Sequence, residues 1–263
     1  MEIYEFTLGT IPLVMSIPHV GEYIPPDTEA QMTSAAAEIG DTDWYLDRLY
    51  KDSATLGLHV LKATHSRYVI DLNRAPDNVS LYPGQNVTEL VPTSTFAEAP
   101  LYPAGQNPED AEIARRLEIF WHPYHTRLRE TLTELKDKFG YAILFDCHSI
   151  KSVVPRFFDG RLPDFNLGTA AGKSCAIDLR DKLSEALSGD GRYTLAVDGR
   201  FKGGYITRQY GDPNNNIHAF QLELSTATYM DEEPAFAWRE DLANQVKPSL
   251  IRMLEVAADW RPA

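Results

Sequence analysis

The chain has 263 residues, of which 43% are hydrophobic and 24% charged, so it can bury a sizeable core as a soluble globular protein. Its formal net charge of −13 argues against nucleic acid and anionic membranes as partners, because both bind basic surfaces. No apolar run is long enough to cross a membrane, and the acidic N-terminal segment lacks the pattern of a signal peptide. Since there are also only two cysteines, we expect a cytoplasmic protein.

Apolar runs alternate with helical patterns along the chain. They predict strands at 12–17, 58–63, 67–72, 141–146, 193–197 and 217–224, and helices at 42–57, from near Asn107 onward with a kink at Pro123, at 175–187, and from about Pro234 to Ala258. Residues 75–108, rich in Pro, Asn and Gly, are predicted to be irregular. This alternation is typical of an α/β fold with a mostly parallel sheet. No repeat or linker divides the chain, so residues 1–263 are expected to form one domain.

Polar side chains follow three of the predicted strands. His19 and Glu22 lie in the loop SIPHVGEYIPP after the first strand, His148 follows YAILFD, and Glu223 lies near the end of IHAFQLEL. Ligands of parallel sheets bind beyond the carboxyl ends of the strands. We therefore expect these four side chains to share one crevice.

Two histidines and one carboxylate form one of the ligand sets of catalytic zinc, which keeps a fourth position for water. His19, Glu22 and His148 would supply one zinc site, although cobalt, manganese or iron would also suit these ligands. Glu223 would then serve as general base and afterwards as general acid. The alternatives are a structural loop pair for His19 and Glu22, and an outward-facing strand position for Glu223. Asp146 is a candidate for orienting a ligand or the substrate amine.

Six blocks of this sequence resemble the N-formylglutamate amidohydrolase family, also called N-formylglutamate deformylase. The blocks are SIPHVGEYIP, DTDWYLDRLY, SRYVIDLNR, LFDCHS, GGYITRQYG and HAFQLELS, and they run from residue 12 to about 230. The order of His19 and Glu22, Asn73 and Arg74, His148, and Glu223 also resembles the pattern of the zinc carboxypeptidases. The resemblance implies a three-layer α/β fold of the phosphorylase/hydrolase type with a mixed, mostly parallel sheet. It also implies zinc-dependent hydrolysis of N-formyl-L-glutamate to formate and L-glutamate, a last step of histidine degradation.

The substrate implied by this resemblance carries two carboxylates, which arginine binds through a bidentate fork. Arg74, assisted by Asn73, is expected to hold one carboxylate, by analogy with the Asn-Arg pair of the related peptidases. Arg74 is also a candidate for a catalytic role. Arg156 and Arg208 would hold the other carboxylate or polarise the formyl oxygen, with Arg67 as a further candidate.

Tyr205 could donate a hydrogen bond to the tetrahedral intermediate, although a packed tyrosine is equally compatible with the sequence. Two other functions also remain compatible with it. One is a zinc-dependent deacylase for another N-acyl acidic amino acid. The other is a non-catalytic protein that binds an acidic ligand in the arginine pocket and uses zinc structurally.

Overall fold

The computed structural model describes residues 1–79, 86–189, 191–233 and 235–262. Within them, one seven-stranded sheet has the strand order β1-β3-β2-β4-β7-β5-β6. The strands are β1 (Tyr4–Thr7), β2 (Leu13–Ile17), β3 (His59–Ala63), β4 (Ala142–Ile150), β5 (Phe165–Gly168), β6 (Leu195–Val197) and β7 (Ile217–Ser225). The α-helices are α1 (Pro26–Glu29), α2 (Leu46–Leu49), α3 (Asp110–Arg116), α4 (His122–Phe139), α5 (Ile177–Ser188), α6 (Tyr205–Tyr210) and α7 (Glu240–Asp259).

The middle of the sheet is parallel, as the sequence predicts. Strands β3, β2, β4 and β7 run in the same direction, whereas β1 is antiparallel to β3 and β5 is antiparallel to β7. Every residue of β4 is buried. A strand covered on both faces is expected to be a nearly continuous apolar run, and this explains why YAILFD could be recognised as central.

Helices cover both faces of the sheet and make the three layers that were predicted. Helices α5 and α7 contribute Leu183 and Leu254 to the core on one face. Helix α4 contributes Leu128 and Leu132 to the core on the other face, where they pack with Leu144 of β4. None of the described helices combines the length and the apolar character needed to cross a bilayer.

The run RYVIDL, predicted as a strand, forms turns instead. Residues 68–70 are buried, but the Asp71 amide donates to the carbonyl of Leu90 at 2.7 Å and not to a neighbouring strand. A short apolar run indicates burial and cannot by itself distinguish a strand from another buried segment. The turns matter for function, because they place Asp71 and Asn73 beside the polar side chains described below.

The predicted helix at 42–57 is also interrupted. Only α2 is α-helical, a 3₁₀ helix follows at Lys51–Leu56, and Tyr45 has a left-handed backbone with φ of 61°. A non-glycine residue in that region ends the helical path, so residues 42–44 lie in a separate turn. Asp43 belongs to that turn.

The other helices differ from prediction mainly at their ends. A π-helical segment, Leu117–Trp121, joins α3 to α4 without a break, and Pro123 is the second residue of α4, directly after this irregularity. Helix α7 begins at Glu240, and Pro234, where the helix was predicted to start, lies outside the described residues. In the described parts of the irregular segment, 75–79 and 86–108, no helix or strand forms beyond an isolated bridge. Residues 80–85 lie outside the description.

Candidate active site

Three neighbouring parallel strands bring polar side chains to one edge of the sheet. His148 on β4 lies directly opposite Glu223 on β7 in the strand register. His19 follows the end of β2, which pairs with the other side of β4. All three side chains are buried. The crevice expected from the positions of His19, His148 and Glu223 at strand ends is therefore present.

A carboxylate from outside the sheet joins the two histidines. His19, Asp43 and His148 each offer one ligand atom, and these atoms lie within 4.8 Å of one another. Asp43 Oδ2 is 3.2 Å from His148 Nδ1 and 3.7 Å from His19 Nδ1. The backbone amide of Asp43 donates to the carbonyl of His19 at 3.0 Å, and this bond fixes the turn against the end of β2.

Two further aspartates set the orientation of the histidines. His19 Nε2 lies 2.7 Å from Asp71 Oδ1, and His148 Nε2 lies 2.9 Å from Asp146 Oδ1. A carboxylate at Nε2 holds the proton there and leaves the lone pair on Nδ1, the nitrogen that faces Asp43. Carboxylate–histidine pairs of this kind are typical of metal sites. Asp146 therefore contacts His148 in the way expected of an orienting group.

The residues of this group fit a divalent metal ion. Among the described residues, the buried Oδ1 of Asp43 has no hydrogen-bond partner, and it lies 3.7 Å from Arg67 Nη1. Burial raises the pKa of Asp43, but the hydrogen bonds to His148 and His19 outweigh burial and hold this pKa below its usual value. Two imidazole nitrogens and one carboxylate also match the donor set of catalytic zinc. The other oxygen of Asp43, Oδ2, faces Nδ1 of both histidines, and a cation bound there would compensate the buried carboxylate charge.

Glu22, predicted as the third ligand, does not join this group. Its side chain is exposed, whereas Asp43 is buried between the two histidines. The chain after Val20 passes close to the backbone of His65, where a Cβ on Gly21 would lie 2.4 Å from the carbonyl oxygen, and it then forms a bridge from Tyr23. With Gly21 facing inward, the next side chain along this extended segment faces solvent. Asp43 therefore replaces Glu22 in the candidate ligand set.

Glu223 lies in the same cavity as the two histidines. This cavity is also lined by Arg67, Arg74 and Arg200. The Glu223 side chain is 8% exposed. Burial raises its pKa to about 8, although the nearby His148 opposes the effect. A carboxylate with a pKa near neutrality is suited to taking up a proton and returning it.

Two of the cavity arginines were candidates from the sequence. Arg67 is buried, donates from Nη2 to Asp71 Oδ2 at 2.8 Å, and lies beside Asp43. Arg74 donates from Nε to the carbonyl of Thr88 at 2.9 Å and from Nη1 to the carbonyl of Asn73 at 3.0 Å. Both guanidinium groups are thus fixed by protein contacts at the edge of the cavity.

Arg200 was not recognised from the sequence. It follows β6, donates from Nε to the carbonyl of Phe157 at 2.7 Å, and lines the cavity with Phe157 and Phe201. No motif surrounds it, and only the packing of its loop brings it to the site. A surface arginine and a site arginine are indistinguishable in such a sequence.

Three other predicted residues lie outside this cavity wall. Among the described residues that form the wall, Arg156, Arg208 and Tyr205 are not included. Arg156 Nη1 donates to Ser94 Oγ at 2.9 Å, and Arg208 Nε donates to the carbonyl of Gly203 at 2.8 Å. Tyr205 packs against the rings of Trp121 and His125.

Comparison with known proteins places this arrangement in a family. A sequence model described as N-formylglutamate amidohydrolase matches residues 11–230. The N-formylglutamate deformylase of Pseudomonas aeruginosa is 45% identical over 259 residues, which cover 98% of this chain and 97% of that protein. The N-formylglutamate deformylase of Pseudomonas putida is 43% identical with the same coverage. The crystal structure of N-formylglutamate amidohydrolase from Ralstonia eutropha JMP134 has a TM-score of 0.85 and 26% identity, with 98% of each chain covered. The chain belongs to the N-formylglutamate amidohydrolase family.

Proposed function

We propose that this protein hydrolyses N-formyl-L-glutamate to formate and L-glutamate with the help of a zinc ion held by His19, Asp43 and His148. The observation that carries the proposal is the buried His19–Asp43–His148 group with Glu223 and three arginines around one cavity. The names of the Pseudomonas relatives support the substrate. We also propose that residues 1–263 act as one catalytic domain in the cytoplasm, at the end of histidine degradation.

We assign to Glu223 the two proton transfers of the reaction, one from water and one to the amide nitrogen. When bound, a divalent ion supplies Lewis-acid activation of water and of the formyl oxygen. The Glu223 carboxylate accepts the proton that the water loses as its oxygen attacks the formyl carbon. It then donates this proton to the amide nitrogen as the carbon–nitrogen bond breaks. L-Glutamate leaves with a neutral amine and the other product leaves as formic acid, which loses its remaining proton to the amine or to solvent and becomes formate.

The arginines of the cavity match the charges of the substrate. Arg67 Nη1 lies 3.7 Å from Asp43 Oδ1 of the ligand group, so we assign Arg67 to the charge that develops on the formyl oxygen. Arg74 and Arg200 lie at the cavity wall and are assigned to the two carboxylates, which a guanidinium binds through paired hydrogen bonds. We assign no substrate contact to Arg156, Arg208 or Tyr205.

Replacing Arg200 with methionine tests whether this residue binds a carboxylate of the substrate. The KM for N-formyl-L-glutamate is expected to rise by about tenfold to a hundredfold, since a hydrogen bond to a charged group contributes about 1.5–3 kcal/mol. Arg208→Met is the matched control, because Arg208 also donates from Nε to a backbone carbonyl but lies outside the cavity wall. An equal change in both variants would show that Arg200 acts through the fold.

The choice of substrate is tested by comparing N-formyl-, N-acetyl- and N-succinyl-L-glutamate under identical conditions. We expect kcat/KM to be highest for the N-formyl compound. Preference for one of the larger acyl groups would instead identify a deacylase for another N-acyl amino acid. Tight binding without any product over hours would identify a non-catalytic binding protein.

A further inference from the structure

Two buried amide side chains connect the N-terminal end of α6 to the active site. Gln221 Oε1 accepts a hydrogen bond from the backbone N–H of Gly204 at 2.7 Å. Asn73 Oδ1 accepts one from the backbone N–H of Ile206 at 2.8 Å. The opposite end of each amide lies at a residue of the site. Gln221 Nε2 donates to Glu223 Oε2 at 3.2 Å, and Asn73 Nδ2 lies 3.5 Å from Oδ2 of Asp146, the carboxylate that contacts His148.

The backbone contact determines which end of the Gln221 amide meets Glu223. A backbone N–H can only donate, so the carbonyl oxygen of Gln221 must face Gly204. The NH₂ group must therefore face the carboxylate of Glu223. This orientation follows from the hydrogen-bond network, which is the proper basis for assigning an amide.

The backbone of Gly204 can approach Gln221 and Asn73 this closely because Gly204 has no side chain. A Cβ at this position would lie 2.3 Å from Asn73 Nδ2, so any larger residue would push the amide away. Gln221 and Glu223 in turn lie two residues apart on β7, and side chains with this spacing point to the same face of a strand. The backbone at Gly204 therefore fixes the orientation of the Gln221 amide, and the backbone of β7 places Gln221 beside Glu223.

We propose that Gln221 is a positioning residue that holds the Glu223 carboxylate in the orientation required for proton transfer. This role rests on the proposed function of Glu223 as the base. With Oε2 engaged by the Gln221 amide, the carboxylate is restrained from rotating, and Oε1 is left to exchange the proton with water and the leaving amine.

Gln221→Met removes the donor and retains a side chain of similar length. We expect kcat to fall by about tenfold to a hundredfold, as for loss of a hydrogen bond to a charged group, with unchanged KM and metal content. Asn166→Leu is the matched control. Asn166 is a buried amide that donates to the backbone carbonyl of Glu223 at 3.2 Å and not to its carboxylate. Its replacement is expected to lower thermal stability and to leave kcat of the folded enzyme unchanged.

A double variant separates positioning from a structural role. Because Gln221 acts through the carboxylate, Gln221→Met is expected to cause no further loss of kcat when added to Glu223→Gln. An additional loss, a change confined to KM, or an unchanged kcat in the single variant would each overturn the proposal. If Gln221→Met does not fold, Gln221→Glu retains an acceptor for the Gly204 N–H and is expected to show the same loss of kcat. Full activity of Glu223→Gln would instead refute the base assignment itself.

Discussion

Replacing Glu223 with glutamine is expected to lower kcat for formate release by about a thousandfold, within the range that a general base contributes. The variant is expected to keep its metal ion, because Glu223 is not a member of the His19–Asp43–His148 group. Glutamine has nearly the same shape as glutamate but cannot accept the proton. The measurements are steady-state kinetics with N-formyl-L-glutamate and metal analysis of the purified variant.

The control for this prediction is Glu185→Gln. Glu185 is an exposed residue of α5, outside the described residues that line the active-site cavity. Its replacement is expected to change neither kcat nor metal content. Substantial turnover by the Glu223 variant would refute its role as base, and loss of the metal ion from that variant would make Glu223 part of the metal site.

Replacing Asp43 with asparagine is expected to weaken metal binding by more than the roughly 10–100-fold that loss of an outer hydrogen-bond partner causes. Asparagine keeps the size of the side chain and removes its charge. Glu22→Gln is the matched comparison, because Glu22 is the exposed carboxylate that the sequence pattern favoured. This variant is expected to bind metal like the unaltered protein.

The affinity of the Asp43→Asn and Glu22→Gln variants for the metal ion can be measured by competition with a chromophoric chelator. Loss of metal from the Glu22 variant together with retention by the Asp43 variant would restore the ligand set predicted from sequence. Equal losses would mean that the loop after β2 moves to bring Glu22 to the ion.

The central strands could be predicted because their burial leaves a direct signal in the sequence. The apolar runs of β4 and β7 identify strands covered on both faces, and the polar residues His148 and Glu223 within such runs need a functional reason for burial. Short strands leave a weaker signal. The edge strand β1 and the inner strand β5, for example, have only four residues each and were not predicted.

The candidate ligand Asp43 could not be selected from the sequence, although it lies in the block DTDWYLDRLY. Its role depends on a turn that departs from the helical pattern of that block and on a hydrogen bond to the carbonyl of His19. Both are tertiary features. The spacing of His19 and Glu22 fits a ligand pair equally well, and only the close approach of Gly21 to the neighbouring backbone shows that Glu22 faces solvent. Arg200 was missed for the same kind of reason.

The candidate site is lined by several positive side chains although the protein as a whole is acidic. The chain carries a formal net charge of −13, yet Arg67, Arg74 and Arg200 line one small cavity. A cleft with low-dielectric walls strengthens the field of the charges inside it relative to the field of the distant surface. For the proposed substrate, the charges that line the cavity therefore matter more than the overall charge of the protein.

The most direct test of metal-dependent deformylation is formate release from N-formyl-L-glutamate before chelation, after chelation, and after zinc is restored. Activity is expected to disappear when the metal ion is removed and to return when zinc is added, because His19, Asp43 and His148 form a ligand set for one divalent ion. The Asp43→Asn variant is expected to recover little activity at the same zinc concentration. Full activity in the demonstrably metal-free protein would contradict the account.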